Sequence, residues 1–287
     1  MLGGYPQVSR IDIQGSSNFL AKLQRLDSTT SASASTSTST STSKRKLDSN
    51  PAPRATAAGA GGRGKRIYER AADCGAGIGR ITLGLLVHHA KVVDVVEPVK
   101  KFTDALAAAA PAAITKEAVG TVGRIYNLGL EDWNPCDQAS GKHDGTTTST
   151  IALEEADGRI GPETEGEEET GGQTKHAPTP MPTYDLIWNQ WCLGQLTDAQ
   201  LISYLRRCAL SLLPSGFIIV KENMSSHLDG TDIFDETDSS VTRSDASFRR
   251  IFEEAGLRVV LTEVQRGMPR ELFAVRCYAL RPKKRCK

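Results

Sequence analysis

Between residues 73 and 80 the chain reads Asp-Cys-Gly-Ala-Gly-Ile-Gly-Arg, an acid followed by three glycines at alternate positions. A residue without a Cβ adopts positive φ freely and lets the backbone lie directly against another group. Gly75, Gly77 and Gly79 therefore specify a strand that turns sharply into a helix, with its main chain open to a guest. The flanking residues agree, since Tyr68 to Cys74 predicts a strand and Gly79 to Ala90 a helix. Such a turn reads as a nucleotide-type cofactor loop, with a bland tight turn as the alternative.

The glycine spacing separates two cofactor classes. A dinucleotide loop of the form G-x-G-x-x-G has its third glycine three residues after the second, where helix N–H groups face a pyrophosphate. Here the third glycine comes after two residues and Asp73 precedes the first. This D-x-G-x-G-x-G pattern resembles motif I of class I S-adenosylmethionine (SAM) methyltransferases, whose cofactor carries a carboxylate and a sulfonium but no phosphate. An NAD enzyme ranks last on this spacing. Glu97 follows the apolar run Val92-Val93-Asp94-Val95-Val96. A carboxylate at such a strand end bonds ribose hydroxyls, or is simply an exposed end of the strand.

The rest of the chain alternates strand and helix. Strands are predicted at Lys91 to Glu97, Ile125 to Leu130, Tyr184 to Trp188 and Phe217 to Val220, and helices at Lys101 to Ala110 and Ala246 to Ala255. From Asp198 to Leu212 the apolar positions 201, 202, 205, 208, 209 and 212 follow a helical period, with Thr197 as cap and Pro214-Ser215-Gly216 as stop. Two closely joined strands, Arg258 to Val264 and Leu272 to Leu280, end the pattern. Such alternation implies a Rossmann-like α/β fold, a seven-stranded, mostly parallel sheet with an antiparallel edge strand.

Two stretches interrupt it. Residues 28–66 are Ser/Thr repeats and an Ala/Gly/Pro run, and residues 137–183 are Gly/Thr-rich with an acidic run from Glu154 to Glu169. Neither has the apolar surface to offset the entropy of ordering, so both are expected to be disordered insertions in a single domain spanning 1–287. The clusters Lys44-Arg45-Lys46 and Arg63-Gly64-Lys65-Arg66 read as solvated linker or as import signals. Basic and acidic inserts cancel to a net charge of +1, which gives no reason to expect a nucleic-acid partner. No segment reads as a membrane span or a signal peptide, and the six cysteines form no CxxC, so neither zinc nor a disulfide framework is expected. A cytoplasmic or nuclear location, without a metal, is the expectation.

In open α/β sheets ligands bind beyond the carboxyl ends of the strands. There the chain places Gly129-Leu130-Glu131-Asp132-Trp133, Asn189-Gln190-Trp191-Cys192 and Lys221-Glu222-Asn223-Met224, followed by the loop Phe234 to Ser240. Taken in order, Met1 to Tyr5, Asp73 to Thr82, Ile187 to Trp191 with Leu196-Thr-Asp198, Val220 to Met224 and Asp238-Ser-Ser-Val241 resemble the eukaryotic protein α-N-terminal methyltransferases. The likeness covers residues 1–26 and nearly all of 68–282 outside the acidic insert.

The resemblance implies a class I SAM-dependent fold and methyl transfer to the α-amine of proteins beginning Xaa-Pro-Lys. Carried over by position, Gly75, Arg80, Glu97, Leu130, Glu131 and Gln190 are implied cofactor contacts, with Arg80 pairing the methionine carboxylate and Glu97 holding ribose. Trp191 is similar to the indole that packs on the substrate's proline, and Asn223 to the amide that bonds its first peptide unit. Asp235 and Ser240 resemble the residues receiving the lysine, and Asp238 resembles the general base.

Departures from the family keep two other readings open, a small-molecule SAM methyltransferase and a catalytically silent relative acting as a binding partner. Met1 aligns with an interior family position, so the helical lid that normally precedes it is missing from this sequence. Phe273 stands where a tyrosine often occurs, and Gln195 where the family usually has histidine beside the amine. His227 is a candidate substitute, or an ordinary surface residue. Since an amide exchanges no proton at neutral pH, Asp238 would act alone, and activity is expected to shift toward higher pH than in histidine-bearing relatives. A pH–rate profile superimposable on theirs would contradict this.

Overall fold

The computed structural model describes residues 6–34, 66–114, 118–136 and 184–283. The expected insert at 137–183 lies outside the described residues, as does that at 28–66 apart from 28–34 and Arg66.

The structure opens with a helix that the sequence pattern did not announce, α1 (Pro6–Ala34). Its buried positions Val8, Asp12, Ser16, Phe19, Leu20 and Leu23 recur every three or four residues, so one stripe faces the sheet. Strands β1 (Tyr68–Cys74), β2 (Ala90–Val96), β3 (Thr121–Tyr126), β4 (Tyr184–Gln190), β5 (Leu212–Asn223), β8 (Leu257–Val264) and β9 (Val275–Pro282) form one sheet, in the order β3-β2-β1-β4-β5-β9-β8. The first five run parallel, and β9 inserts antiparallel between β5 and β8. A separate hairpin pairs β6 (Ile233–Asp235) with β7 (Ser240–Thr242). The helices α2 (Arg80–Gly84), α3 (Lys100–Ala113), α4 (Asp198–Ser211) and α5 (Asp245–Glu254) complete the layers.

Each sheet face carries its own core. On one, Tyr204, Leu205, Phe248 and Phe252 of α4 and α5 pack with Ile187, Ile218 and Tyr278. On the other, Phe19, Leu20 and Leu23 of α1 pack with Leu186, Trp188, Phe217 and Ile219. Alternate residues of β4 thus serve opposite cores, and all seven of its residues are buried, as expected for the middle of a parallel sheet.

Several boundaries differ from the sequence reading. The helix expected over 79–90 stops at Gly84 and gives way to a 3₁₀ turn over Leu86–His88. Leu85, Leu86 and Val87 are all buried, and three consecutive inward side chains do not share one face of an α-helix. Gly84 also lets α1 approach, since a Cβ there would stand 2.7 Å from Ile13 Cδ1. The third strand lies earlier than Ile125 to Leu130, because pairing with β2 ends at Val96↔Tyr126. The last strand begins at Val275, which leaves Leu272 and Phe273 in the preceding loop.

Register carries the strand ends to one level. Asp73 pairs with Val95 on one side and Trp188 on the other, so the glycine turn leaves the sheet between Glu97 and Gln190. The α4 start is fixed by a reciprocal capping box in which Gln200 N–H donates to the Thr197 hydroxyl and Thr197 N–H to the Gln200 side chain. Thr197→Ala is expected to lower unfolding free energy by about 1 kcal/mol, read from urea denaturation; an unchanged midpoint would remove the cap from the account.

Candidate active site

A cavity of about 690 Å³ opens at the carboxyl ends of the parallel strands. Gly75, Arg80, Gln190, Trp191, Asn223 and Asp238 line it together, along with Val8 of α1, Phe273 and Val275. A larger groove of about 1210 Å³ between α1 and β8 shares no residue with it.

The floor is the glycine turn, with φ of +69, +57 and +84° at Gly75, Gly77 and Gly79. A Cβ at Gly75 would lie 2.2 Å from Cys192 Cβ, so position 75 is doubly restricted. Glu97 braces the turn, its two oxygens accepting from Gly77 N–H at 2.9 Å and Val99 N–H at 3.0 Å. Beneath, buried Asp73 accepts from the Thr82 hydroxyl at 2.5 Å. Burial pushes its carboxyl up to about 7, against the smaller opposing effects of that hydrogen bond and of Arg80.

Arg80 leaves the turn and meets a residue that the sequence reading did not single out. Its Nη1 donates to Asp12 Oδ2 at 2.7 Å, while its guanidinium lies 5.2 Å from the Trp191 ring centroid. Gln190 accepts from Trp188 Nε1–H at 3.1 Å and donates to the same Asp12 oxygen at 2.8 Å. The other Asp12 oxygen pairs with Lys221 Nζ at 2.5 Å. Lys221 also donates to the Asp12 carbonyl, the Ser16 hydroxyl and Gln265 Oε1. A signal was present, since Asp12 and Ser16 interrupt the apolar stripe of Val8, Phe19, Leu20 and Leu23.

A second wall is the turn after β4. Trp191 has φ of 55°, left-handed and costly for a side chain of its size, and its amide donates to the Lys221 carbonyl at 3.2 Å. Buried Glu222 accepts from Cys192 N–H at 2.9 Å and Leu193 N–H at 3.1 Å, which holds the turn from below. Burial pushes its carboxyl up to about 7, with these two amide bonds opposing. Buried Arg243, following β7, donates to the Leu193 and Leu196 carbonyls and pairs with Asp198. It ties the acidic hairpin to the Trp191 turn. Neither Glu222 nor Arg243 was picked out from sequence.

Of the residues singled out from sequence, Gly75, Arg80, Gln190, Trp191, Asn223 and Asp238 meet on the cavity wall. Asp238 is exposed there, one oxygen accepting from Ser240 N–H at 3.0 Å. Glu97, Leu130, Glu131, Asp235 and Ser240 stand outside the wall. Glu97 lies behind the glycine turn, Leu130 is buried and Glu131 is exposed. Asp235 and Ser240 face each other as the last pair of the β6–β7 hairpin. Gln195 and His227 are exposed, with His227 in a turn beside Thr231. Among the described residues there is no group of His, Cys, Asp and Glu fit to hold a metal ion, and no helix long and apolar enough to cross a membrane.

Comparison with known proteins gives concordant results. A family model described as AdoMet-dependent proline di-methyltransferase matches residues 57–144 and 154–281. The alpha N-terminal protein methyltransferase 1 of Schizosaccharomyces pombe is 38% identical over 74% of this chain and 72% of its own length. The N-terminal Xaa-Pro-Lys N-methyltransferase 1 of Xenopus tropicalis is 28% identical over 98% and 87%. A solved SAM-dependent methyltransferase of Leishmania major superposes with a TM-score of 0.60 at 26% identity, covering 98% of this chain and 75% of that one.

The raised carboxyl of Glu222 makes stability pH-dependent in a defined direction. A folded-state value above the unfolded one stabilises below about 4.5, and this contribution is lost as pH rises through about 7. Glu222→Gln keeps an acceptor for the two amides without that charge. In urea denaturation the variant is expected to be more stable than the parent at pH 8, by on the order of 1–3 kcal/mol, and to converge with it as pH falls below about 4.5. A gap independent of pH would contradict the assignment.

Proposed function

This chain belongs to the AdoMet-dependent proline di-methyltransferase family, and we propose that it transfers methyl groups from SAM to the α-amine of proteins beginning Xaa-Pro-Lys. One observation carries the reading: the glycine turn, Trp191, Asn223 and Asp238 share a single cavity. Its volume lies in the roughly 300–1,000 Å³ range of small-molecule sites.

The residues present fit the cofactor. Gly75 and Gly77 offer bare backbone and Arg80 a guanidinium at the cavity wall, while Glu97, which braces the turn from outside that wall, is assigned to a ribose hydroxyl. The Trp191 Nε1–H is buried without an acceptor among the described residues, a donor whose isolation a guest would relieve. When bound, SAM supplies a sulfonium methyl as electrophile. Leu130 and Glu131 are assigned to the adenine end.

The chain's own task is to deliver an amine lone pair. An α-ammonium titrates near 7.7 to 8.0, so losing its proton at pH 7 costs only roughly 1 kcal/mol. Fixing geometry contributes more, about 7 to 11 kcal/mol in favourable cases. Trp191 gives the second-residue proline an apolar face, and its strained backbone marks a position held for use rather than for packing. The Asn223 amide makes no side-chain hydrogen bond with the described residues and is assigned to the first peptide unit. Asp238 keeps one oxygen on Ser240 N–H, which leaves the other to hold the ammonium and accept its proton. Asp235 and Ser240, paired across the hairpin, receive the third-position lysine by opposite charge and hydrogen bonding.

Incubation with SAM and a Ser-Pro-Lys peptide is expected to yield mass increments of whole methyl groups. Asp238→Asn should lower kcat/KM by about 100-fold, and a peptide with glutamine third should bind less well. No increment from the unmodified chain would overturn the assignment.

A further inference from the structure

Among the described residues Arg80 is the cation that lines the cavity, and it shares its counter-ion with a buried lysine. Asp12 carries one negative charge, reached by Arg80 on Oδ2 at 2.7 Å and by Lys221 on Oδ1 at 2.5 Å. Asp12 and Lys221 are fully buried, whereas the Arg80 side chain keeps 24% of its exposure. The remaining Lys221 acceptors are neutral, namely the Asp12 carbonyl, the Ser16 hydroxyl and Gln265. Two cations on one carboxylate leave one positive charge in excess, and only Arg80 presents it to the cavity.

We infer that Lys221 is a positioning residue for the cofactor's carboxylate: by holding the charge of Asp12, it leaves that of Arg80 available to the guest. The geometry of Arg80 fits this division. A guanidinium has five N–H donors in a rigid fork. Asp12 takes one nitrogen and the Trp191 ring lies against the group, which leaves donors for a bidentate carboxylate. Away from water such charges interact strongly. Without Lys221, Asp12 spends its full charge on Arg80 and repels an incoming carboxylate. Without both, Arg80 keeps its charge, as in the parent chain. The inference rests on the SAM reading of this cavity.

Calorimetric titration of the full chain with two ligands tests it. S-adenosylhomocysteine has the amino-acid carboxylate; methylthioadenosine retains the adenosine and sulfur without it. Lys221→Gln is expected to weaken S-adenosylhomocysteine about tenfold while changing methylthioadenosine by less than about threefold. The charge-balanced double variant Asp12→Asn/Lys221→Gln is expected to bind S-adenosylhomocysteine within about threefold of the parent. Equal weakening of both ligands by Lys221→Gln, or a double variant as weak as the single, would overturn the charge balance and leave a purely structural role. Breaking one side of a buried pair is destabilising. Should the single variant melt below the assay temperature, the double decides alone: near-parent affinity supports the inference, and a loss of about tenfold overturns it. A parent chain that binds neither ligand would sink the SAM reading and this inference with it.

Discussion

The architecture turns on a contact that only glycine permits. At position 75 the main chain lies so close to Cys192 that a methyl group would overlap its Cβ. The turn after β1 and the turn after β4 are therefore pressed together, and the cavity they border is continuous. Parallel pairing of β1 with both β2 and β4 sets their ends level. Glu97 and Glu222 then secure the two turns by accepting from their amides. A side chain at 75 would force the turns apart and separate the glycine turn from the Trp191 turn across the cavity.

Buried charge does the remaining alignment. Helix α1 carries an acid and a serine on its inward stripe, and both meet Lys221 of β5. A stripe of leucines in their place would bind the helix to the sheet with less regard for its axial position. Ion pairs and directed hydrogen bonds accept only one register, at the expense of desolvation. The same carboxylate touches Arg80 and Gln190, so the seating of α1 and the posture of two cavity residues are one event. Arg243 plays the corresponding part on the opposite face, linking the hairpin to the Trp191 turn.

Much of this was legible in the sequence. The glycine spacing, the alternation of strand and helix and the Thr197 cap are local signals, and each corresponds to a feature of the fold. The resemblance to α-N-terminal methyltransferases supplied cavity residues that local patterns do not reveal, such as Asn223 and Asp238. What escaped is non-local. The α1 stripe is interrupted by Asp12 and Ser16, which weakens its period, and their partners lie on α2, β4 and β5. Strand limits moved because pairing, rather than composition, decides where a strand stops, as at Tyr126. The short β6–β7 hairpin has too few residues to declare a pattern of its own.

The bonds that shape the cavity join partners 178 and 209 residues apart, Gln190 and Lys221 each reaching Asp12. Topologies that depend on such distant partners fold slowly, since the closing of large loops precedes any gain from the contact. The pocket thus forms only when segments from Val8 to Val275 are brought together. A ligand that occupies it draws the folding equilibrium by mass action. Supply of the methyl donor would then govern how long the molecule survives in its folded form as well as how fast it works.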